Sequence, residues 1–179
     1  EFDAADASKL LESLEQQQAQ GENDDDPLIE QSDNSLVRLI NSAIIEAHAQ
    51  GVSDIHFETL PGREKVRVRF RKDGVLKPYM ELPHTYRQAL VARIKIMCDL
   101  DISEKRKPQD GKINFAKFVA QHRIELRVAT IPTSGGLEDV VMRILASAKP
   151  IPLPRIGLSE RNLLVLATGD PAGAIAGPD

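Results

Sequence analysis

Across residues 65–71 the side chains alternate in character with a period of two, and no other stretch limits the fold as strongly. Val66, Val68 and Phe70 take turns with Lys65, Arg67, Arg69 and Arg71, so a strand here buries one face and presents a cationic one. Asp73-Gly74 follows at once. That pair accepts the positive φ angles of a tight two-residue turn, which predicts a hairpin with a return strand over Val75–Leu82. Pro78 has no amide hydrogen to give to a ladder, so the return strand belongs at a sheet edge or beside a bulge.

The flanking segments supply helices and further strands. Leu36, Ile40, Ala43, Ile44 and Ala47 recur at helical spacing, in a helix expected to begin after Ser32, Asp33 or Asn34 and to stop at Gly51. A strand is expected to open at Asp54. A second helix over residues 85–99 would put Tyr86, Leu90, Ile94 and Met97 on one face and Arg87, Arg93 and Lys95 elsewhere. After a charged loop over residues 101–110, strands are expected at 112–118, 122–131 and 139–145. Six strands and two helices with mostly short connections give one α+β domain with a mainly antiparallel sheet. There is no tryptophan, so the core must be aliphatic, with Phe57, Phe70, Phe115 and Phe118 as its large fillers.

Charge is uneven along the chain. Residues 1–33 hold eleven acidic side chains and one lysine, whereas the remainder holds 22 Lys or Arg against 16 acids. Residues 1–33 therefore read as an acidic, largely disordered linker leading into a domain over 34–149. Pro150, Pro152 and Pro154 mark a stiff connector, 150–168, in which residues 159–167 could open another helix, and 169–179 is a Gly-, Ala- and Pro-rich tail. Cys98 is the lone cysteine, which excludes an internal disulfide and fits a reducing compartment. With no run of about 20 apolar residues and no basic-then-apolar start, the expectation is a soluble, cytoplasmic protein.

Few side chains suggest chemistry on their own. Arg127 points away from the apolar set Ile124, Leu126 and Val128, with Glu125, Glu138 and Asp139 as possible ion-pair partners. Arg143 lies in an otherwise apolar run, where a guanidinium must find a partner or a solvated gap. Arg67, Arg69 and Arg71 form a stripe that could meet nucleic-acid phosphates, but no aromatic is interleaved for base stacking, and an ordinary solvated face is favoured. His56 and Glu58 share a strand face, yet two ligands are too few for a metal, and His48, His84 and His122 have no supporting spacing. Ser53-Asp54 reads as a turn that bonds its own backbone, and Cys98 as a core residue.

Several phrases in order carry a family resemblance: Val52-Ser53-Asp54-Ile55-His56-Phe57-Glu58, Arg67-Val68-Arg69-Phe70-Arg71-Lys72-Asp73-Gly74, and Arg93-Ile94-Lys95-Ile96-Met97. Leu100-Asp101-Ile102-Ser103-Glu104-Lys105-Arg106 and Pro108-Gln109-Asp110-Gly111 follow, then Leu126-Arg127-Val128-Ala129-Thr130-Ile131-Pro132 and Val140-Val141-Met142-Arg143-Ile144-Leu145. Over about residues 34–163 the chain resembles the ATPases of type II secretion and type IV pilus assembly. The resemblance implies a PAS-like domain, set before a RecA-like ATPase domain, in a hexameric cytoplasmic enzyme that meets inner-membrane secretion or pilus platform proteins. It implies ATP and Mg2+ as cofactors of the whole protein. The phosphate-binding loop pattern, with Gly-Lys-Ser or Gly-Lys-Thr, does not occur here. This chain alone is accordingly expected to be catalytically inactive, to hold no cofactor or metal, and to bind no nucleic acid. The tail 169–179 does not resemble the family. By resemblance, Arg127 and Arg143 match arginines that reach the nucleotide phosphates, and Arg67, Arg69, Arg71, Arg93, Lys95 and Arg106 match regions packed between domains or subunits. A stand-alone PAS-like sensory or binding module is the alternative, with a nucleic-acid binder behind it.

Overall fold

The computed structural model describes residues 4–20 and 26–145. Helices α1 (Ala4–Gln20) and α2 (Asp26–Ala49) precede strands β1 (Asp54–Glu58), β2 (Val66–Lys72) and β3 (Val75–Leu82). Helix α3 (Arg87–Met97) then leads into β4 (Gln109–Asn114), β5 (Glu125–Pro132) and β6 (Glu138–Leu145). The strands form one sheet in the order β3-β2-β1-β6-β5-β4, antiparallel at every step, so the α+β class expected from the sequence is the one observed. Two three-stranded meanders therefore meet along a single seam, where β1 pairs with β6 and Asp54 faces Arg143. The connector 150–168, its possible helix at 159–167, and the tail 169–179 lie outside the described residues.

The predicted hairpin forms in the predicted register. Asp73 and Gly74 take φ values of 51° and 77°, and Lys72 faces Val75 across the turn. Pro78 satisfies both of its constraints, because β3 is an edge strand and the β2–β3 register slips between Val68 and Arg69, opposite Met80 and Pro78.

The inward positions of the sheet and the apolar faces of the helices close into one core. Leu36, Leu39, Ile40, Ala43, Ile44 and Ala47 of α2 are fully buried, as are Leu90 and Ile94 of α3, packed with Ile55, Phe57, Val66, Val68, Leu126 and Val140 from the strands. On the other face the strands carry Arg67, Arg69, Arg71, Arg127 and Arg143, exposed or half-buried, and this face is open among the described residues.

Three expectations need correction. Phe118 is 45% exposed rather than a core filler. The strand ends at Asn114, and a 3-10 turn over Phe115–Lys117 breaks the alternation, sending Phe115 inward and Phe118 out. Strand β4 also starts earlier than its apolar pattern suggests. Its first half is Gln109, Asp110 and Gly111, with Gly111 tucked so closely under the end of α3 that a Cβ there would lie 3.0 Å from Cys98 Cβ. Finally, residues 4–20 and 26–33 are helical rather than a disordered linker. Ala7, Leu10 and Leu14 give α1 a buried stripe, Tyr86 Oη donates to the Leu14 carbonyl at 3.2 Å, and Pro27 sits in the first turn of α2, where its missing amide hydrogen is harmless.

Candidate anion-binding site on the open sheet face

Five polar side chains line up across the open face, each facing the next in the sheet register: Arg71 on β2, Asp54 on β1, Arg143 on β6, Arg127 on β5 and Lys112 on β4. With strands about 4.8 Å apart the row spans roughly 19 Å. It carries four cationic residues and one carboxylate and crosses the seam between the meanders.

Asp54 is the buried member. Its side chain is 6% exposed, whereas that of Arg143 is 69% exposed. Arg143 Nε donates to Asp54 Oδ1 at 2.9 Å, Ser53 Oγ donates to Oδ2 at 2.9 Å, and Arg71 Nε lies 3.9 Å from Oδ2. Burial works against the charged form of Asp54, but the hydrogen bonds from Arg143 and Ser53 and the Arg143 charge outweigh it and hold the carboxyl below its ordinary value. Ser53-Asp54 was expected to be a turn bonded to its own backbone. Instead Asp54 opens β1, and the Ser53 amide donates to the Arg71 carbonyl, because the sheet continues to that point.

Arg127 stands directly opposite Arg143, and Lys112 flanks it on the other side. None of the three acidic residues considered for it takes it as a partner. Glu138 pairs with Lys95, the Asp139 carboxylate accepts from the Thr59 amide at 2.8 Å, and Arg127 makes no ion pair among the described residues. Like charges directly opposed on a sheet destabilise it by a few tenths to about 1 kcal/mol, so this row sacrifices stability for positive charge. Asp54, Asp110, Arg127 and Arg143 border a shallow cavity of about 210 Å³. Two solvent-facing guanidiniums over a cavity can grip an oxyanion by forked hydrogen bonds.

A family model described as type II/IV secretion system protein matches residues 29–169. The chain belongs to the type II/IV secretion system protein family. It is 43% identical over 137 residues to a type II secretion system protein E of Pseudomonas aeruginosa, covering 75% of this chain and 26% of that protein. It is 38% identical over 168 residues to the type IV pilus assembly ATPase PilB of the same organism, covering 92% of this chain and 29% of PilB. A type II secretion system ATPase E of Vibrio cholerae is 38% identical over 161 residues, covering 89% of this chain and 30% of its own length. The chain thus spans under a third of the length of these members of the type II/IV secretion system family.

The other residues that the family resemblance singled out do not gather in one place. Arg67 and Arg106 are exposed and Arg93 is half-buried. Arg69 is tied to Glu58, its Nε donating to Glu58 Oε1 at 3.0 Å. His56 is held below its ordinary pKa by burial and then by the Arg71 charge. Lys95 is the clear correction: at 1% exposure it cannot belong to a surface interface. Its Nζ donates to Glu138 Oε1 at 2.8 Å and to the Glu104 carbonyl at 2.6 Å, because its helix turns it toward β6 rather than outward. Cys98 is buried as expected, and that burial, with the nearby Asp99 charge, pushes its thiol up to about 11. Sequence reasoning missed Asp54, Arg71 and Lys112 as neighbours of the arginine pair. The alternation places each on the outer face, but only the seam register aligns them.

Proposed function

We propose that this domain is the nucleotide-sensing edge of a larger ATPase that drives type II protein secretion or type IV pilus assembly. Two of its relatives are named as such ATPases, and each is more than three times as long as the part this chain matches. Because the chain has no Gly-Lys-Ser or Gly-Lys-Thr, the loop that cradles the phosphates has to come from another segment, in this reading a RecA-like domain. When bound there, ATP supplies the bond to be cleaved and Mg2+ offsets the phosphate charge.

The contribution of this chain is to orient charge. Arg127 and Arg143, opposite one another on β5 and β6, reach the outer phosphates across the domain boundary, and this facing pair is the observation that carries the proposal. A guanidinium stays charged, forks onto two oxygens, and can draw two domains together while the terminal phosphate is present. Loss of that phosphate releases the contact, and the domain relaxes. The same reading gives a hexameric ring in the cytoplasm, with each domain meeting its own ATPase domain and the neighbouring subunit, and with the ring acting on inner-membrane platform proteins.

The test is turnover in a full-length protein carrying this domain. Arg127→Ala and Arg143→Ala are each expected to lower ATP hydrolysis by about 10²-fold, the scale of removing one charge-stabilising donor, with the fold intact by circular dichroism. Unchanged turnover in both variants overturns the phosphate role.

A further inference from the structure

We propose that Asp54 is the positioning residue of the arginine pair: it grips Arg143 by the Nε edge so that both terminal amino groups of that guanidinium face outward, ready to fork onto phosphate. This inference rests on the reading of Arg127 and Arg143 as phosphate contacts.

A carboxylate beneath an anion site is a contradiction if charge is all that matters, because it repels the ligand and cancels one of the cations that attract it. Its burial and bonding resolve the contradiction. The Asp54 side chain is 6% exposed and lies under Arg143, so an arriving oxyanion meets the guanidinium before it meets the carboxylate. The bond to Oδ1 comes from Nε, which leaves the edge made by the two terminal amino groups of Arg143 for a forked contact beyond the sheet. Held there, the long side chain has already given up much of its rotamer freedom, and an anion binds a fork that is set in place.

The carboxylate is itself fixed. Ser53 Oγ donates to Oδ2 at 2.9 Å and lies 3.1 Å from the Arg71 carbonyl, and Arg71 Nε approaches the same Oδ2 at 3.9 Å. Asp54 also stands on the β1 side of the seam while Arg143 stands on the β6 side, so the bond ties the two meanders at the site. Arg127 has no such tether among the described residues, which leaves it to follow the ligand while Arg143 sets the direction of approach.

The two accounts of Asp54 predict opposite signs, which makes the test direct. The 179-residue chain is titrated with tripolyphosphate in low-salt buffer, followed by backbone amide and arginine Nε–Hε NMR signals. Asp54→Ala is expected to weaken tripolyphosphate binding at least threefold, although it removes a negative charge from beneath the site. The Nε–Hε signal of Arg143, which the Asp54 bond should slow in exchange in the unaltered chain, is expected to broaden or vanish. In an Arg143→Gln background the same Asp54→Ala change is expected to leave the affinity unchanged or raise it, since there is no fork left to orient. A general loss of structure would lower affinity in both backgrounds, and that outcome overturns the proposal. Asp54→Asn, which keeps the size and one acceptor oxygen, is expected to fall between Asp54→Ala and the parent, and it serves as the test if the alanine variant does not fold. Tighter binding in Asp54→Ala or Asp54→Asn makes the carboxylate a mere neutralising charge and overturns the proposal, while a weakened Arg143→Gln would still support the phosphate reading. If Arg127→Gln and Arg143→Gln both leave affinity unchanged, or the parent does not bind, the phosphate reading fails and the proposal with it.

Discussion

Strand β6 sends one member of an ion pair to each face of the sheet, and the two pairs could hardly differ more. Inward, Glu138 meets Lys95 with the side chains 4% and 1% exposed. Outward, Arg143 meets Asp54 with only the carboxylate buried, the guanidinium being 69% exposed. In the first pair both charges lose their water, and the Lys95 ammonium is held by a carboxylate and a carbonyl at 2.8 and 2.6 Å. In the second the cation keeps its water and most of its donors. A charge shut away from water is a structural charge, and a charge half-held in solvent is available to a ligand. Both arginine and lysine here look alike in sequence; their partners set the difference.

The largest test of that contrast is Lys95→Met. Removing one member of a buried pair leaves an uncompensated carboxylate, and the expected loss is about 3–5 kcal/mol in chemical denaturation. Lys95→Met combined with Glu138→Leu should regain most of it, since apolar groups of similar volume often replace a buried pair without loss. If Lys95→Met alone costs less than about 1 kcal/mol, the two faces do not differ in the way described.

Gly111 probes the same covered face by crowding instead of charge. A Cβ at that position would meet Cys98 Cβ at 3.0 Å, Cys98 O at 3.1 Å and Leu100 Cδ2 at 3.1 Å, at the point where the end of α3 crosses β4. Backbone and strand both have to move, so Gly111→Val is expected to lose roughly 1–3 kcal/mol, read as a lower thermal midpoint. Lys112→Val, one position along but on the open face, should change stability far less.

The open face responds to acid. Asp54 has a carboxyl held below its ordinary value of 3.8 in the folded chain, so its contribution is complete above that value and disappears as pH falls through the lower, folded one. His56, also lowered, removes stability as pH falls below its ordinary 6.5, because the unfolded chain takes up the proton first. Asp139 opposes them: burial and the Glu58 charge raise its pKa, so protonation favours the fold. Thermal midpoints taken from pH 7 to pH 3 should fall, and Asp54→Asn should flatten the portion below about pH 4. A profile unchanged by that substitution would detach Asp54 from Arg143.

What could be read in the sequence, and what could not, divides along the same line. Alternation over residues 65–71 and the Asp73-Gly74 pair announced a hairpin to the residue, since both signals are local. The apolar face of α2 was equally plain from its spacing, but its start at Asp26 was not, because Ser32, Asp33 and Asn34 each offered a helix cap further along. Arg127 stood out through family resemblance, whereas Arg143 was marked also by the apolar run around it. Asp54 was hidden for a different reason. Its partner lies 89 positions away, and the seam that joins them pairs the first strand with the last, a non-local choice that no window of sequence contains. Lys95 was placed at an interface by the family resemblance; only the presence of Glu138 beneath it says otherwise.

Arg127 gives the smallest effect on stability and the sharpest meaning. It faces Arg143 on one side and Lys112 on the other, with no ion pair among the described residues to offset the repulsion. Relieving a like-charge cross-strand contact is worth a few tenths to about 1 kcal/mol, so Arg127→Ala should leave the fold as stable as before or slightly more so in urea unfolding. The same substitution is expected to lower turnover about 10²-fold in the full-length protein. A residue whose removal steadies the fold and stops the activity is held in place for its ligand, and a matched loss in both measurements would return Arg127 to the ordinary role of a surface arginine.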